Sequence, residues 1–167
     1  TTYGPFLPDE KVAIYAQTKV NDKVFKTNTV NVTKADDGED EITVDLSFDD
    51  DAIKDYKENE ELKDDVQTFM EDYTDALNEA YEEEDYMYVS SYIKSSSDTA
   101  DHIENVVEEG GSTEFSTPKV TKYDKKGDTI TIETEKKDQN GKSIKSKYVL
   151  DYDSTFSDFK IKDYTDI

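Results

Sequence analysis

The chain has 167 residues and a formal net charge of −22 at pH 7, with 42 acidic residues against 20 basic ones. Every basic residue is a lysine, so the chain lacks the guanidinium fork that binds phosphate in two places at once. Both features argue against nucleic acids and anionic membranes as partners. The absence of cysteine excludes disulfides and thiolate metal sites.

Residues 1–50 have the pattern of a small all-β domain. Short apolar runs end in turn signals at Asn21-Asp22 and at Asp36-Asp37-Gly38. The last run alternates four apolar residues with polar ones: Ile42, Val44, Leu46 and Phe48. The spacing predicts about four strands in a minimal β-sandwich or sheet. Asp49-Asp50-Asp51 interrupts this alternation and can cap a helix.

Residues 51–61 carry little apolar periodicity, so we interpret them as a linker or a short helix. Residues 62–81 then keep one apolar stripe for about five turns at helical spacing. The stripe consists of Leu62, Val66, Phe69, Met70, Tyr73, Leu77, Ala80 and Tyr81. We expect this helix to pack its stripe, including Phe69 and Tyr73, against a sheet.

The rest of the chain predicts two further helices and then strands. A short helix carries Tyr86, Val89, Tyr92 and Ile93, and a third begins at Asp98 and ends at Gly110-Gly111. From Thr113 onward the apolar period is two, with four runs separated by turns. We therefore predict an α+β domain over residues 62–167, with three helices packed on a curved four-stranded antiparallel sheet.

Several residues of this domain resemble those of a known family. The order of helices and strands is similar to the nuclear transport factor 2-like (cystatin-like) roll. Phe69-Met70-Glu71-Asp72-Tyr73, Tyr88-Val89 and Tyr92-Ile93 resemble the C-terminal domain of TcaA-type proteins, as do Ala76, Ala80 and Asp85. Gly4-Pro5-Phe6-Leu7-Pro8 is similar to the start of the small β-rich repeats of that family.

The resemblance implies a membrane-anchored cell-envelope protein of staphylococci and related Firmicutes, associated with teicoplanin susceptibility. The chain begins at Thr1 and has no apolar run near 18 residues, so we expect the fragment to be soluble, with its anchor outside it. The implied location is the extracytoplasmic side of the cell membrane. The implied role is in cell-wall homeostasis and the response to glycopeptides.

Acidic runs and the single histidine give no strong catalytic or metal signal. Asp36–Glu41, Asp49–Asp51 and Glu82–Asp85 lack the alternating carboxylates of a calcium loop, so solvated charge is the favoured interpretation. His102 has acidic neighbours on a predicted helix and is expected to be partly exposed. We predict no catalytic residue, no cofactor and no metal ligand.

The interior of a nuclear transport factor 2-like roll is a cone that can hold a ligand. Phe69, Tyr73, Tyr148 and Tyr152 are the residues predicted to line it, and they can equally be ordinary core aromatics. Among the inward positions we assign, none is acidic, so proton transfer would lack a base. Nucleophile motifs and glycine-rich phosphate loops are not visible in the sequence.

Three functions remain open at this point. The favoured one is a non-enzymatic recognition region that binds a cell-wall component, a glycopeptide or an envelope protein. The first alternative is a small-ligand-binding or isomerase-like roll with an occupied cone, and the second is a structural spacer. Residues 54–111 hold 19 acidic residues and four lysines, which predicts an acidic helical face that attracts cationic peptides or amines.

Overall fold

The computed structural model describes residues 11–33, 43–111 and 113–167. The chain forms two compact units, residues 1–60 and residues 61–167. Some sequence predictions lie outside the described residues, namely the segment Gly4 to Pro8, the turn at Asp36-Asp37-Gly38 and Ile42.

The first unit contains four short strands: β1 (Lys11–Ile14), β2 (Gln17–Val20), β3 (Lys23–Lys26) and β4 (Val30–Thr33). Strand β1 pairs antiparallel with β4, and β2 pairs antiparallel with β3 through the predicted turn at Asn21-Asp22. The described residues of the first unit therefore form two sheets of two strands each. A sandwich arrangement of these sheets stays a prediction.

The predicted strand that includes Val44 and Phe48 is wrong, because residues 43–49 have no strand in the structure. Their side chains still alternate between exposed and partly buried, so the sequence pattern reflects an extended backbone. Asn28 holds this segment through its side chain and through its backbone N–H, which donates to the carbonyl of Ser47 at 3.2 Å. Its side-chain amide donates to the carbonyl oxygen of Asp45 at 3.1 Å, and its side-chain oxygen accepts from the backbone N–H of Ser47 at 2.7 Å.

Helix α1 spans Asp50–Glu83, so residues 51–61 belong to the same helix as the predicted stripe. The boundary between the two units falls within it, after Glu60. Asp49 caps the helix by accepting from the backbone N–H of Ala52 at 2.9 Å. The polar stretch continues as helix because its lysines and glutamates are good helix formers, with Lys54 and Glu58 paired one turn apart at 3.7 Å.

Two shorter helices follow, α2 (Met87–Ser90) and α3 (Asp98–Glu108). Helix α2 is shorter than predicted because residues 92–94 leave it to pair with the last strand. The N–H of Ile161 donates to the carbonyl of Tyr92, and the N–H of Lys94 donates back to the carbonyl of Ile161, both at 2.8 Å. The cap of α3 is Ser97, one residue before the predicted Asp98.

The second unit ends in an antiparallel sheet of four strands in sequence order, β5 (Lys119–Lys126), β6 (Thr129–Lys137), β7 (Ser143–Asp153) and β8 (Asp158–Asp166). Irregularities between Val120 and Lys122 and between Val149 and Leu150 shift the register. Such bulges increase the local twist of a sheet. Along β6 every second side chain is buried.

The core of the second unit lies between the helices and one face of this sheet. Helix α1 contributes the predicted stripe, and the sheet contributes Ile130, Ile132, Leu150 and Ile161. Within the described residues, no helix is both long enough and apolar enough to cross a membrane.

Candidate functional site

The four predicted cone residues meet in one aromatic cluster. Tyr73 on α1 lies edge-on to Tyr148 on β7, with ring centroids 6.1 Å apart. Phe69 and Tyr152 both contact Phe159, at centroid distances of 5.3 and 5.0 Å. Tyr73 and Tyr148 are only 2% and 3% exposed, whereas Phe69 and Tyr152 are partly buried. These aromatic side chains fill the space between the helix and the sheet.

Burial keeps the hydroxyls of Tyr73 and Tyr148 protonated. Loss of solvation raises the pKa of Tyr73 and of Tyr148 well above the usual value, because a phenolate would be stranded in an apolar interior. Burial also raises the pKa of Tyr164 to about 12, and the negative charge of Asp166 adds to this shift. At neutral pH these hydroxyls can donate hydrogen bonds but cannot act as bases.

One end of the inner sheet face is polar, which the sequence interpretation missed. Thr134 and Lys136 on β6 are buried, and Ser146 on β7 faces Thr134 in the register. The Ser146 hydroxyl donates to the carboxylate of Asp166 at 2.6 Å. Continuing the two-residue alternation from Ile130 and Ile132 would have placed these side chains inward.

Lys136 has no ion pair within the described residues. Its ammonium lies 4.0 Å from the ring centre of Phe115, a cation–π contact. Burial lowers its pKa to about 8, and attraction to Asp166 partly opposes that shift. The Thr134 hydroxyl on the same face is buried, with no hydrogen-bond partner in the part of the chain that the structure describes. The buried polar side chains of the described core include no carboxylate.

His102 lies on the exposed side of α3, as expected from its acidic neighbours. Its ring contacts Tyr164 at a centroid distance of 5.8 Å. Among the described residues there is no group of three or more histidine, aspartate or glutamate side chains that could hold a metal ion. Of the acidic runs, residues 36–41 lie outside this description.

An open groove of about 930 Å³ lies beside the C-terminal end of α1. Its walls come from that helix, from the segment after α3 and from the turn between β6 and β7. The lining residues are Asp75, Asn78, Glu79, Tyr81, Glu82, Glu84, Gly111, Thr113, Glu114 and Gln139. Five of these residues carry carboxylates and none is a lysine, so we call this feature the acidic groove.

Two amide side chains on α1 fix the segment that forms one wall of the acidic groove. Asn78 donates to the carbonyl of Phe115 and accepts from its N–H, both at 2.8 Å. Three helical turns earlier, Gln67 donates to the carbonyl of Pro118 and accepts from the N–H of Val120, also at 2.8 Å. These four bonds hold residues 115–120 along the helix.

The two units match two domain families. The TcaA protein NTF2-like domain matches residues 62–165, and the TcaA protein 3rd/4th domain matches residues 1–48. The chain is 34% identical, over 158 residues, to the membrane-associated protein TcaA of Staphylococcus aureus strain Newman and to that of strain COL. These alignments cover 92% of the chain and 34% of each relative, so the chain spans about a third of their length.

No solved structure matches the chain significantly. The family matches nevertheless cover both units, and the relatives align with nearly the whole chain. The predicted resemblance to the TcaA family is thereby confirmed. The chain belongs to the TcaA family of membrane-associated proteins, and its second unit is an NTF2-like domain.

Proposed function

We propose that this chain is a non-enzymatic recognition region on the extracytoplasmic side of a membrane-associated envelope protein. In this role it binds a cell-wall component, a glycopeptide or another envelope protein, and it contributes to cell-wall homeostasis and to the teicoplanin response. The membrane association of its relatives is consistent with that location.

The filled interior of the NTF2-like domain is the observation that carries this proposal. Met70, Tyr73, Ile132, Tyr148 and Leu150 are each no more than 3% exposed, so these side chains pack together in the interior of the domain. Catalysis requires a positioned base or nucleophile in a pocket that excludes water. The acidic groove is open to solvent instead, which suits binding at a surface.

A binding experiment tests the proposal directly. The protein is titrated with purified wall precursors and with teicoplanin at low and high salt, and we expect saturable binding to one of them. In cells, residues 61–167 of the family protein are replaced by an inert spacer of equal length. Loss of the glycopeptide phenotype supports recognition, whereas an unchanged phenotype together with no binding favours the structural spacer.

The ligand-binding or isomerase-like alternative has one observation in its favour. Thr134 and Lys136 are buried on the same face of β6, and the Thr134 hydroxyl has no hydrogen-bond partner within the described residues. A small ligand that displaced Phe115 would reach the ammonium of Lys136. Native mass spectrometry of the protein purified from its host distinguishes the two functions, because a retained small molecule supports the alternative and its absence supports surface recognition.

A further inference from the structure

Two polar side chains on the inner face of β6 are buried without the partners that such groups usually have. Lys136 is 7% exposed and Thr134 is 1% exposed. Lys136 forms no ion pair within the described residues, and the Thr134 hydroxyl has no hydrogen-bond partner there. A buried charge is normally paired and a buried hydroxyl normally bonded, because both lose water on folding. Both side chains could therefore donate to an added acceptor.

The ring of Phe115 covers the ammonium of Lys136, at 4.0 Å from the ring centre. A neutral ring compensates a buried cation only in part, and burial accordingly lowers the pKa of Lys136 to about 8. A carboxylate in the same place would offer a full negative charge and accept a charge-assisted hydrogen bond. The ring is thus a weaker partner for this ammonium than a carboxylate would be.

The two donors are close enough to serve one ligand group. Thr134 and Lys136 are two residues apart on one strand face, which separates their backbone positions by about 7 Å. The long lysine stem can close much of that distance, and a carboxylate has two oxygens to accept from both groups. Ser146 faces Thr134 in the register, but its hydroxyl already donates to Asp166. The ligand would therefore be held by Thr134 and Lys136.

The Phe115 ring has open space beside it. The acidic groove begins next to this residue, because Glu114 and Tyr81 line the groove and the Tyr81 ring contacts the Phe115 ring at 6.2 Å. The hydrogen bonds from Asn78 hold only the backbone of Phe115, so the ring can rotate about its side-chain bonds while the segment stays in place. Rotation towards the groove would uncover the ammonium of Lys136.

The local electrostatics at this end of β6 differ from those of the whole chain. A hydrogen bond from Ser143 lowers the pKa of Glu135 on the outer face of the strand, and three nearby lysines lower it further. These are Lys145, Lys119 and Lys137. A carboxyl pKa that neighbouring lysines lower reports a locally positive environment. The net charge of −22 therefore does not exclude an anion here.

From these observations we infer that the polar end of the inner sheet face binds a small carboxylate, which replaces the Phe115 ring beside the Lys136 ammonium and accepts a hydrogen bond from Thr134. The ligand is a free small acid or the carboxylate end of a short peptide. The inference goes beyond the proposed recognition function, because it names one ligand group and one site and holds whichever envelope partner the surface binds.

Propionate is the first probe, and propionamide is its uncharged match. Each is titrated into the isotope-labelled whole chain at constant ionic strength, and backbone amide shifts are followed by NMR. We expect saturable shifts at Phe115, Thr134 and Lys136 with propionate, and binding of propionamide weaker by about tenfold or more. Acetyl-dialanine distinguishes the two sources, because tighter binding than propionate identifies a peptide end and weaker binding a free acid. Equal affinity for propionate and propionamide, or no saturable shift at these residues, would overturn the inference.

Variants of three residues test the site itself. Lys136→Met should abolish propionate binding, whereas Lys137→Met removes an exposed charge from the same strand and should leave the affinity within about twofold. Thr134→Val keeps the shape without the hydroxyl and should weaken binding by about three- to tenfold. Phe115→Leu removes the competing ring and should tighten binding, a gain that a purely structural role would not give.

Unchanged affinity in Lys136→Met would overturn the inference, and so would equal losses in Lys136→Met and Lys137→Met. Loss of the fold does not confuse the result, because thermal unfolding and the NMR spectrum of each variant show whether the core of the second unit is intact. The proposed recognition function is tested separately by the titrations with wall precursors and teicoplanin, so the two failures are distinguishable.

Discussion

The two units of this chain are stabilised in different ways. In the described part of the first unit, the only buried side chain is Thr27, at 7% exposed. The second unit has a continuous apolar core that joins α1, α2 and α3 to the sheet. The second unit therefore derives its stability from the burial of large side chains, whereas the described part of the first unit is held by contacts at a largely exposed surface.

Several described contacts of the first unit are polar or aromatic. The Thr27 hydroxyl accepts from the N–H of Ala16 at 2.8 Å, and Asn28 holds the extended segment after β4. Lysine side chains lie over rings, with Lys26 above Tyr15 at 4.7 Å. Contacts of this kind contribute about 1 kcal/mol or less each. Matched substitutions should therefore change the free energy of unfolding by unequal amounts in the two units.

Tyr73→Ala gives the largest expected difference between the units. Tyr73 is almost fully buried and contacts two other aromatic rings, so its truncation should cost about 3–5 kcal/mol of unfolding free energy. Val12→Ala in β1 should cost less than about 1 kcal/mol, because Val12 is only partly buried. Urea unfolding, monitored by hydrogen exchange in each unit, measures both changes. A loss below about 1 kcal/mol for Tyr73→Ala would show that the stripe does not face the core.

Asn78→Ala tests whether polar contacts also matter in the second unit. The change removes two hydrogen bonds to the backbone of Phe115, so we expect a loss of about 2 kcal/mol. Hydrogen exchange should accelerate selectively in residues 113–118. Asn105→Ala, at an exposed position of α3, serves as the control and should leave that segment unchanged. Unaltered exchange in Asn78→Ala would mean that apolar packing alone holds the segment.

The buried lysine makes stability depend on pH in the second unit. Folding lowers the pKa of Lys136 from its ordinary 10.5 to about 8, so the unfolded chain binds more protons between these values. The unfolding free energy should therefore rise with pH in that window, by about 1 kcal/mol between pH 7 and 9. Above pH 10 the buried tyrosines reverse this trend, because their folded pKa values are raised and the unfolded chain loses those protons first.

Lys136→Met should abolish the rise between pH 7 and 9 and increase stability at pH 7, because it removes a buried charge that has no ion pair among the described residues. Denaturant unfolding at pH 7, 8 and 9 measures both effects. A variant with the same pH dependence as the parent chain would show that Lys136 is solvated in the folded state, contrary to its 7% exposure.

The sequence pattern predicted the second unit well because burial there follows strict periods. The helical stripe of α1 and the two-residue alternation of β6 both arise from a single apolar core. Tyr73 and Tyr148 were predicted to line the cone and are buried together. Lys136 was missed because its type indicates exposure, although the alternation from Ile132 places it inward. The two-residue alternation of β6 places Lys136 inward, and the ring of Phe115 contacts its ammonium.

The first unit and the acidic groove were harder to predict for physical reasons. The alternation of Val44 and Leu46 correctly indicates an extended backbone, but the segment is held by hydrogen bonds to Asn28, and no periodicity encodes such a contact. The acidic groove combines Glu79 on α1, Glu114 and Gln139, which are far apart in sequence. Charge counting predicted an acidic helical face, while the groove depends on where the segment after α3 returns to that helix.

The smallest expected effect concerns a lysine in the first unit. The ammonium of Lys23 lies 5.0 Å from the ring centres of both Phe25 and Tyr56, which contact each other edge-on. Unlike Lys136, it remains solvated, so its ring contacts stabilise without a desolvation cost. Lys23→Gln should lower the unfolding free energy by about 0.5–1 kcal/mol. Lys19→Gln removes the same charge from an exposed pair with Asp22 and should change it by less than about 0.5 kcal/mol. Equal effects in these two variants would mean that net charge, rather than the aromatic contact, is what Lys23 contributes.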